Sequence, residues 1–263
     1  MTSTHEMPAS QGRSLLAKPT LLPILLVMNR RLLVLLTLLF ATATPLTAKS
    51  MEHIVVSGGP ALLSWEHLRL PKDQHDKWHF NFIRPARVRM EKLFQIYGKN
   101  TQITWLVYQP AYQKRQREDR KAHISNIQSV QRKFGVSLVW FTKGEDVINY
   151  INRGKNRRQH KISTVDFFLH SNKHCFMFDY SCEILGCSKA FLHESDLKKI
   201  RRSVFAKSAQ SRSWGCHTGE LMSQSWRKAT GTRLWGAVGK TDYSKMNENG
   251  WMPILSPGGR WRY

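Results

Sequence analysis

The chain has 263 residues, with 41 Lys and Arg against 18 Asp and Glu, a formal charge of +23 and an isoelectric point near 10.3. With 41% hydrophobic and 11% aromatic residues it carries enough apolar material for a packed core, which excludes a disordered polycation. Four cysteines at this length exclude a disulfide-built scaffold, and the charge argues against a neutral, charge-balanced enzyme and for contact with something anionic.

The first distinct segment runs from Leu21 to Ala48. Leu21–Val27 is apolar, Met28-Asn29-Arg30-Arg31 interrupts it, and Leu32–Phe40 is apolar again. A membrane span needs about 20 uninterrupted apolar residues. A basic pair followed by a short apolar run and small residues is instead the order of a signal peptide. Residues 1–48 are therefore expected to be a signal peptide or membrane anchor, with Met28 as a candidate start and a cut after Ala43 or Ala48. Arg30-Arg31-Leu32-Leu33 loosely matches a twin-arginine signal, but the hydrophobicity of the run favours general export. An exported protein follows: periplasmic, extracellular or membrane-associated. Removing 1–48 leaves the strong excess of basic residues in the folded part.

His53–Val56 is a β-branched run closed by Ser57-Gly58-Gly59-Pro60, the pattern of a buried strand ending in a glycine turn. The aromatic-rich stretch Asp73–Arg87 has no clear periodicity. Ala86–Tyr97 has helical spacing and stops at Gly98, and Ile103–Tyr108 reads as a second strand. Tyr112–Phe134 places Ile124, Ile127 and Val130 on one face and basic residues elsewhere, which predicts one long basic amphipathic helix. Then follow a strand at Val136–Phe141, a helix at Gly144–Ile151, a basic loop at Gly154–Lys161 and a strand at Thr164–Leu169. Glu194–Arg202 reads as a helix, Ala209–Gly215 as a more polar strand, Ser223–Ala229 as a helix and Leu234–Val238 as a last strand. Strands alternating with helices imply parallel pairing, since a crossover needs about a dozen residues or more. The expected architecture is a single α/β domain over 49–243 with a mainly parallel central sheet flanked by helices, followed by a loop-like tail over 244–263.

In an open α/β sheet the chemistry sits at the carboxyl ends of strands. Two such ends stand out: His170 after Val165–Leu169, and Cys216 after Ser211–Gly215. A thiol attacks as thiolate, and an imidazole within reach accepts its proton and later protonates the leaving amine. His170 precedes Cys216 by 46 residues, close to the histidine-to-cysteine interval of about 50 in caspases. Here the chain resembles the caspase-like cysteine peptidases of clan CD and the related caspase-fold domains of bacterial proteins. The shared features are Phe167-Phe168-Leu169-His170-Ser171, then Trp214-Gly215-Cys216-His217-Thr218-Gly219, then a helix and the glycine-containing strand Leu234-Trp235-Gly236-Ala237-Val238-Gly239. The resemblance covers roughly Ile103 to Tyr243.

The resemblance implies a three-layer caspase-like fold, His170 as acid/base, Cys216 as nucleophile, and an oxyanion held by the backbone amides of Cys216 and Ser171. Ser171 stands where the family has glycine, so its loop lacks that residue's freedom to take positive φ. Two departures qualify the match: this serine and the polarity of the Ala209–Gly215 strand.

Other constellations compete. His170, His174 and Cys175, with Cys182 and Cys187, contain a His-x-x-x-His spacing that on a helix would put two imidazoles on one face, but here it follows a strand. A disulfide among Cys175, Cys182 and Cys187 would leave Cys216 free, with connectivity open. Gly239-Lys240-Thr241 resembles the end of a phosphate-binding loop but lacks the required earlier glycine, Leu234 standing in its place. Lys114, Arg115, Arg117, Arg120, Lys121, Arg157 and Arg158 are candidate polyanion contacts, without a nucleic-acid recognition motif.

These features lead to an exported cysteine peptidase acting on a peptide or protein substrate through a Cys216/His170 dyad, with no cofactor or metal. The alternative is a catalytically inactive basic binding module on the same fold, directed at anionic polymers, nucleic acid or membrane surfaces.

Overall fold

The β-branched run around Val55 lies at the centre of a sheet: β1 (Ser50–Ser57) is buried from Glu52 to Ser57. It is flanked by the parallel strands β2 (Gln102–Tyr108) and β4 (His160–Phe168). Apolar residues on both faces of a strand are the signature of a strand covered on both sides. The computed structural model describes residues 50–61, 66–68, 70, 80–180 and 189–263. The expected leader 1–48, and Cys182 and Cys187, lie outside the described residues. The described residues belong to one compact unit, Thr47–Tyr263. No helix among them is long and apolar enough to cross a membrane.

Beyond β2 lies β3 (Ser137–Phe141), and beyond β4 lie β8 (Gln210–Ser213), β9 (Arg233–Val238) and β12 (Arg260–Arg262). The sheet runs β12-β9-β8-β4-β1-β2-β3, with every pairing parallel except that of β12 on β9. The α/β class and the mainly parallel sheet match the sequence reading.

Helices cover both faces. On one, Ile83, Ala86, Met90 and Leu93 of α1 (Ile83–Tyr97) and Ile127 of α3 (His123–Phe134) pack with Val55, Trp105 and Val107. On the other, Val147, Ile148 and Ile151 of α4 (Gly144–Arg153) and Met222 and Trp226 of α5 (Met222–Thr230) pack with Ile54, Val56 and Phe167. The Asp146 carboxylate accepts from the Lys143 amide at the start of α4 at 3.1 Å, a donor without a helical partner, and from the preceding Thr142 amide at 3.0 Å.

Four differences from the sequence reading have physical causes. The predicted long helix Tyr112–Phe134 is two helices, α2 (Gln109–Asp119) and α3, separated where Arg120 adopts left-handed backbone angles, φ 50° and ψ 43°. The break is held by Asp119, whose carboxylate takes Arg115 Nε at 3.1 Å and His123 Nε2 at 2.7 Å. The predicted helix Glu194–Arg202 is a 3-10 turn, Glu194–Lys199, and a second short one, Arg202–Val204. The tail expected to be loop carries β12, which adds antiparallel to β9, and β11 (Ile254–Leu255), which pairs with β10 (Thr241–Asp242). The connection after β4 also holds a small antiparallel sheet of β5 (His170–Ser171), β6 (Cys175–Met177) and β7 (Phe191–His193), where no element was read.

Candidate active site

Strand order reverses between β1 and β4, the position where open α/β sheets usually receive ligands. That crevice is closed by packing. The Gly59 amide donates to the Phe178 carbonyl at 2.7 Å, and a Cβ on Gly59 would lie 2.2 Å from the Ala111 methyl. Gly58-Gly59 therefore serves a close backbone approach. The chemistry-bearing groups lie one strand over, at the adjacent ends of β4 and β8.

His170 leaves the end of β4 and enters the β5–β6 hairpin. Its ring stacks on Tyr180, centroids 4.8 Å apart, and meets the Phe82 ring edge-on at 4.9 Å. The Asn172 amide bonds the Cys175 carbonyl at 3.1 Å, and His170 pairs with Met177 and Ser171 with Phe176. Hydrogen-bonded and non-hydrogen-bonded pairs alternate in an antiparallel ladder. Ser171 thus occupies a non-hydrogen-bonded position, its amide directed away from β6.

Cys216 follows β8, whose end is tied to β4 by the Trp214 amide on the Phe167 carbonyl at 2.8 Å. The Ser171 hydroxyl donates to the Cys216 carbonyl at 2.7 Å, which joins the two candidate segments directly. Gly215 makes this possible: a Cβ there would lie 2.1 Å from Ser171 Oγ. The Cys216 thiol is bonded to Thr241, whose amide donates to Sγ at 3.4 Å, whose carbonyl accepts from Sγ at 3.8 Å and whose Oγ1 lies at 3.5 Å. Both residues of the expected dyad therefore lie at one end of the sheet, with the thiol turned toward Thr241. Among the described residues no hydrogen-bond acceptor engages the Cys216 amide.

The turn after Cys216 is held in an unusual conformation. His217 has φ 63°, uncommon for a residue other than glycine, and its amide donates to the Gly239 carbonyl at 2.7 Å. Its Nδ1 bonds Glu220 Oε1 at 2.6 Å, and the same oxygen accepts from the Gly239 amide at 3.1 Å. The His217 bond, aided by that amide, holds the Glu220 carboxyl below its ordinary range. Gly219 and Gly236 meet backbone to backbone, a Cβ on Gly219 falling 2.5 Å from the Gly236 carbonyl oxygen. The turn is thereby clamped on β9.

Sequence reasoning missed Thr241 and the His217–Glu220 pair. Thr241 was read only as part of a failed phosphate loop. The signal for the second was present as a histidine and a glutamate three residues apart in a predicted turn.

A cavity of about 740 Å³ lies on the sheet face over β4, β8 and β9, lined by Arg89, Lys92, Asp166, Arg212, Trp214 and Trp235 among others. Neither His170 nor Cys216 lines it. Burial pushes the Asp166 carboxyl up, against the opposing pull of Arg89, whose Nε lies 2.8 Å away. Arg212 sits 5.3 Å from the Trp214 ring centroid and 5.2 Å from that of Trp261.

Of the candidate polyanion contacts, Lys114, Arg117, Arg120, Lys121 and Arg158 are exposed. Arg115 and Arg157 are buried, and this removes them from any surface that meets a polyanion. Arg115 serves Asp119 and the Ala61 carbonyl, and Arg157 serves Glu52 and the Tyr150 carbonyl. The spacing that suggested two imidazoles on one helical face falls on a hairpin, with His170 in β5 and His174 in the turn. The comparisons with family models, curated proteins and solved structures give no match.

Proposed function

We propose that the chain is a cysteine-dependent hydrolase of peptide bonds, of the caspase-like type, with Cys216 as nucleophile and His170 as general base. One observation carries the reading: the adjacent parallel strands β4 and β8 end in His170-Ser171 and in Cys216, and the two ends are bonded through Ser171 Oγ and the Cys216 carbonyl at 2.7 Å. In the proposed reaction the thiol leaves its Thr241 partners, His170 takes its proton, and the thiolate attacks the substrate carbonyl carbon. Charge develops on the carbonyl oxygen, and the amides of Ser171 and Cys216 are assigned as its donors. His170 then protonates the leaving amine, and water hydrolyses the thioester with His170 again as base. Export, from the leader-like 1–48, and contact with an anionic surface belong to the same reading.

The test is capture by a peptidyl chloromethyl ketone. The full chain is expected to be alkylated at Cys216, with Cys216→Ala unlabelled and Cys175→Ala labelled like the parent. Equal labelling of the parent and Cys216→Ala refutes the assignment.

A further inference from the structure

The β5–β7 sheet brings together three side chains that the proposed hydrolase does not use. His174 lies in the β5–β6 turn, His193 ends β7, and Glu194 begins the 3-10 turn that follows. The Glu194 amide bonds the His174 carbonyl at 2.8 Å, which locks the backbones of the two segments together. His174 Nδ1 lies 2.9 Å from Glu194 Oε1, and the His174 and His193 rings run parallel within 5°, centroids 6.1 Å apart. One ligand atom from each of the three residues falls within 4.8 Å of the others. In a tetrahedral zinc site, ligand atoms about 2.1 Å from the ion stand roughly 3.4 Å apart. The His174–Glu194 pair is already inside that spacing, and His174, with 44% of its side chain exposed, is free to turn.

We propose that His174, His193 and Glu194 form a binding site for a divalent transition-metal ion of the zinc class. Two imidazoles and one carboxylate form a donor set suited to such ions, and three protein ligands leave a coordination position for water. The ion takes the place of the proton between His174 Nδ1 and Glu194 Oε1, and the neutral ring carries its one proton on Nε2 instead. The surroundings supply what metal ligands need from their neighbours. Ser225 of α5 donates to Glu194 Oε2 at 2.5 Å and fixes the carboxylate from the far side. Ser195 Oγ lies 2.8 Å from His193 Nδ1, and the Ser195 amide donates to that nitrogen at 3.2 Å; binding the ion through Nε2 therefore moves the ring proton from Nε2 to Nδ1, where it is donated to Ser195 Oγ in place of the amide bond. None of these residues belongs to the proposed nucleophile and base, so the two assignments stand or fall separately.

The test is isothermal titration of the tag-free full chain with Zn²⁺, followed by Co²⁺ substitution monitored by visible absorption. One ion per chain is expected, with cobalt bands free of thiolate charge transfer. Affinity is expected to fall at least tenfold in His193→Ala and in Glu194→Gln, about tenfold in Ser225→Ala, and to stay unchanged in Cys216→Ser. Far-UV circular dichroism establishes that each variant is folded, and Ser225→Ala, which removes no ligand, serves if a ligand variant is not. Absence of stoichiometric Zn²⁺ binding overturns the proposal. So does binding that survives His193→Ala and Glu194→Gln undiminished, or that is lost in Cys175→Ser with a thiolate band in the cobalt spectrum.

Discussion

Glu52 is fully buried, and its oxygens are shared among four groups: Thr104 Oγ1 at 2.6 Å, the Tyr150 hydroxyl at 2.8 Å, Lys155 Nζ at 3.4 Å and the Arg157 guanidinium. Burial alone would raise its pKa, but the bond from Arg157, with those of Thr104 and Tyr150, outweighs it and holds the carboxyl below its ordinary value. Removing Arg157 leaves a buried charge with its main partner gone, so Arg157→Ala is expected to lose about 3–5 kcal/mol in urea unfolding. A loss below about 1 kcal/mol contradicts this account of the network. The next residue, His53, is buried against Thr164 Oγ1 and is pushed down to about 4, chiefly by burial and secondarily by Arg89. The unfolded chain takes up this proton near the ordinary 6.5 and the folded chain only near 4, so stability is complete above pH 6.5 and declines as pH falls between those values. The decline attributable to His53 is on the order of 3 kcal/mol, and His53→Gln is expected to flatten the stability profile across that window. A profile unchanged in His53→Gln rules out His53 as its cause. At the site, Gly215→Ala is expected to be unstable, and Gly215→Ala combined with Ser171→Gly partly restored, because the added Cβ falls on the Ser171 side chain. Additive losses in the double variant contradict the contact.

The elements that repeat one period cleanly were legible. β1, β2, β4 and β9 are short runs of apolar and β-branched or aromatic residues, and α4 and α5 show apolar spacing of one face, so each strand and helix was placed to within a few residues. What escaped was set by tertiary contacts. The α2–α3 break depends on one carboxylate binding Arg115 from one side and His123 from the other, and the apolar face that suggested one helix, Ile124, Ile127 and Val130, lies wholly in α3. The β5–β7 sheet is built of two- and three-residue strands, too short for alternation to register, and β12 is recognisable only by its partner β9. The site was half legible for the same reason. Strand ends pointed to His170 and Cys216, but Thr241 reaches the thiol from 25 positions along the chain, and no local pattern carries that. The α2–α3 corner yields its own prediction. Arg120 takes the left-handed conformation that glycine adopts freely, so Arg120→Gly is expected to raise stability by about 1 kcal/mol. A loss of stability would mean the Arg120 side chain holds the corner.

Across the described residues, the basic side chains behind the charge of +23 divide into cations that build the interior and cations that face water. Arg115 and Arg157 are among the first; Lys114, Arg117, Arg120, Lys121 and Arg158 are among the second. Replacing the five exposed residues with Gln is expected to lower the salt concentration that elutes the protein from heparin resin without changing its melting temperature. Arg115→Gln and Arg157→Gln should do the reverse, and equal elution shifts in both sets contradict the division. The same fold brings the ends of β4 and β8 together, and on that juncture the proposed hydrolysis rests. The most direct measurement is the rate at which iodoacetamide alkylates Cys216 at pH 7, followed by peptide mass spectrometry in the parent, His170→Ala and His217→Ala. If His170 is the base, the rate falls at least tenfold in His170→Ala and changes little in His217→Ala; an unchanged rate in His170→Ala contradicts the dyad.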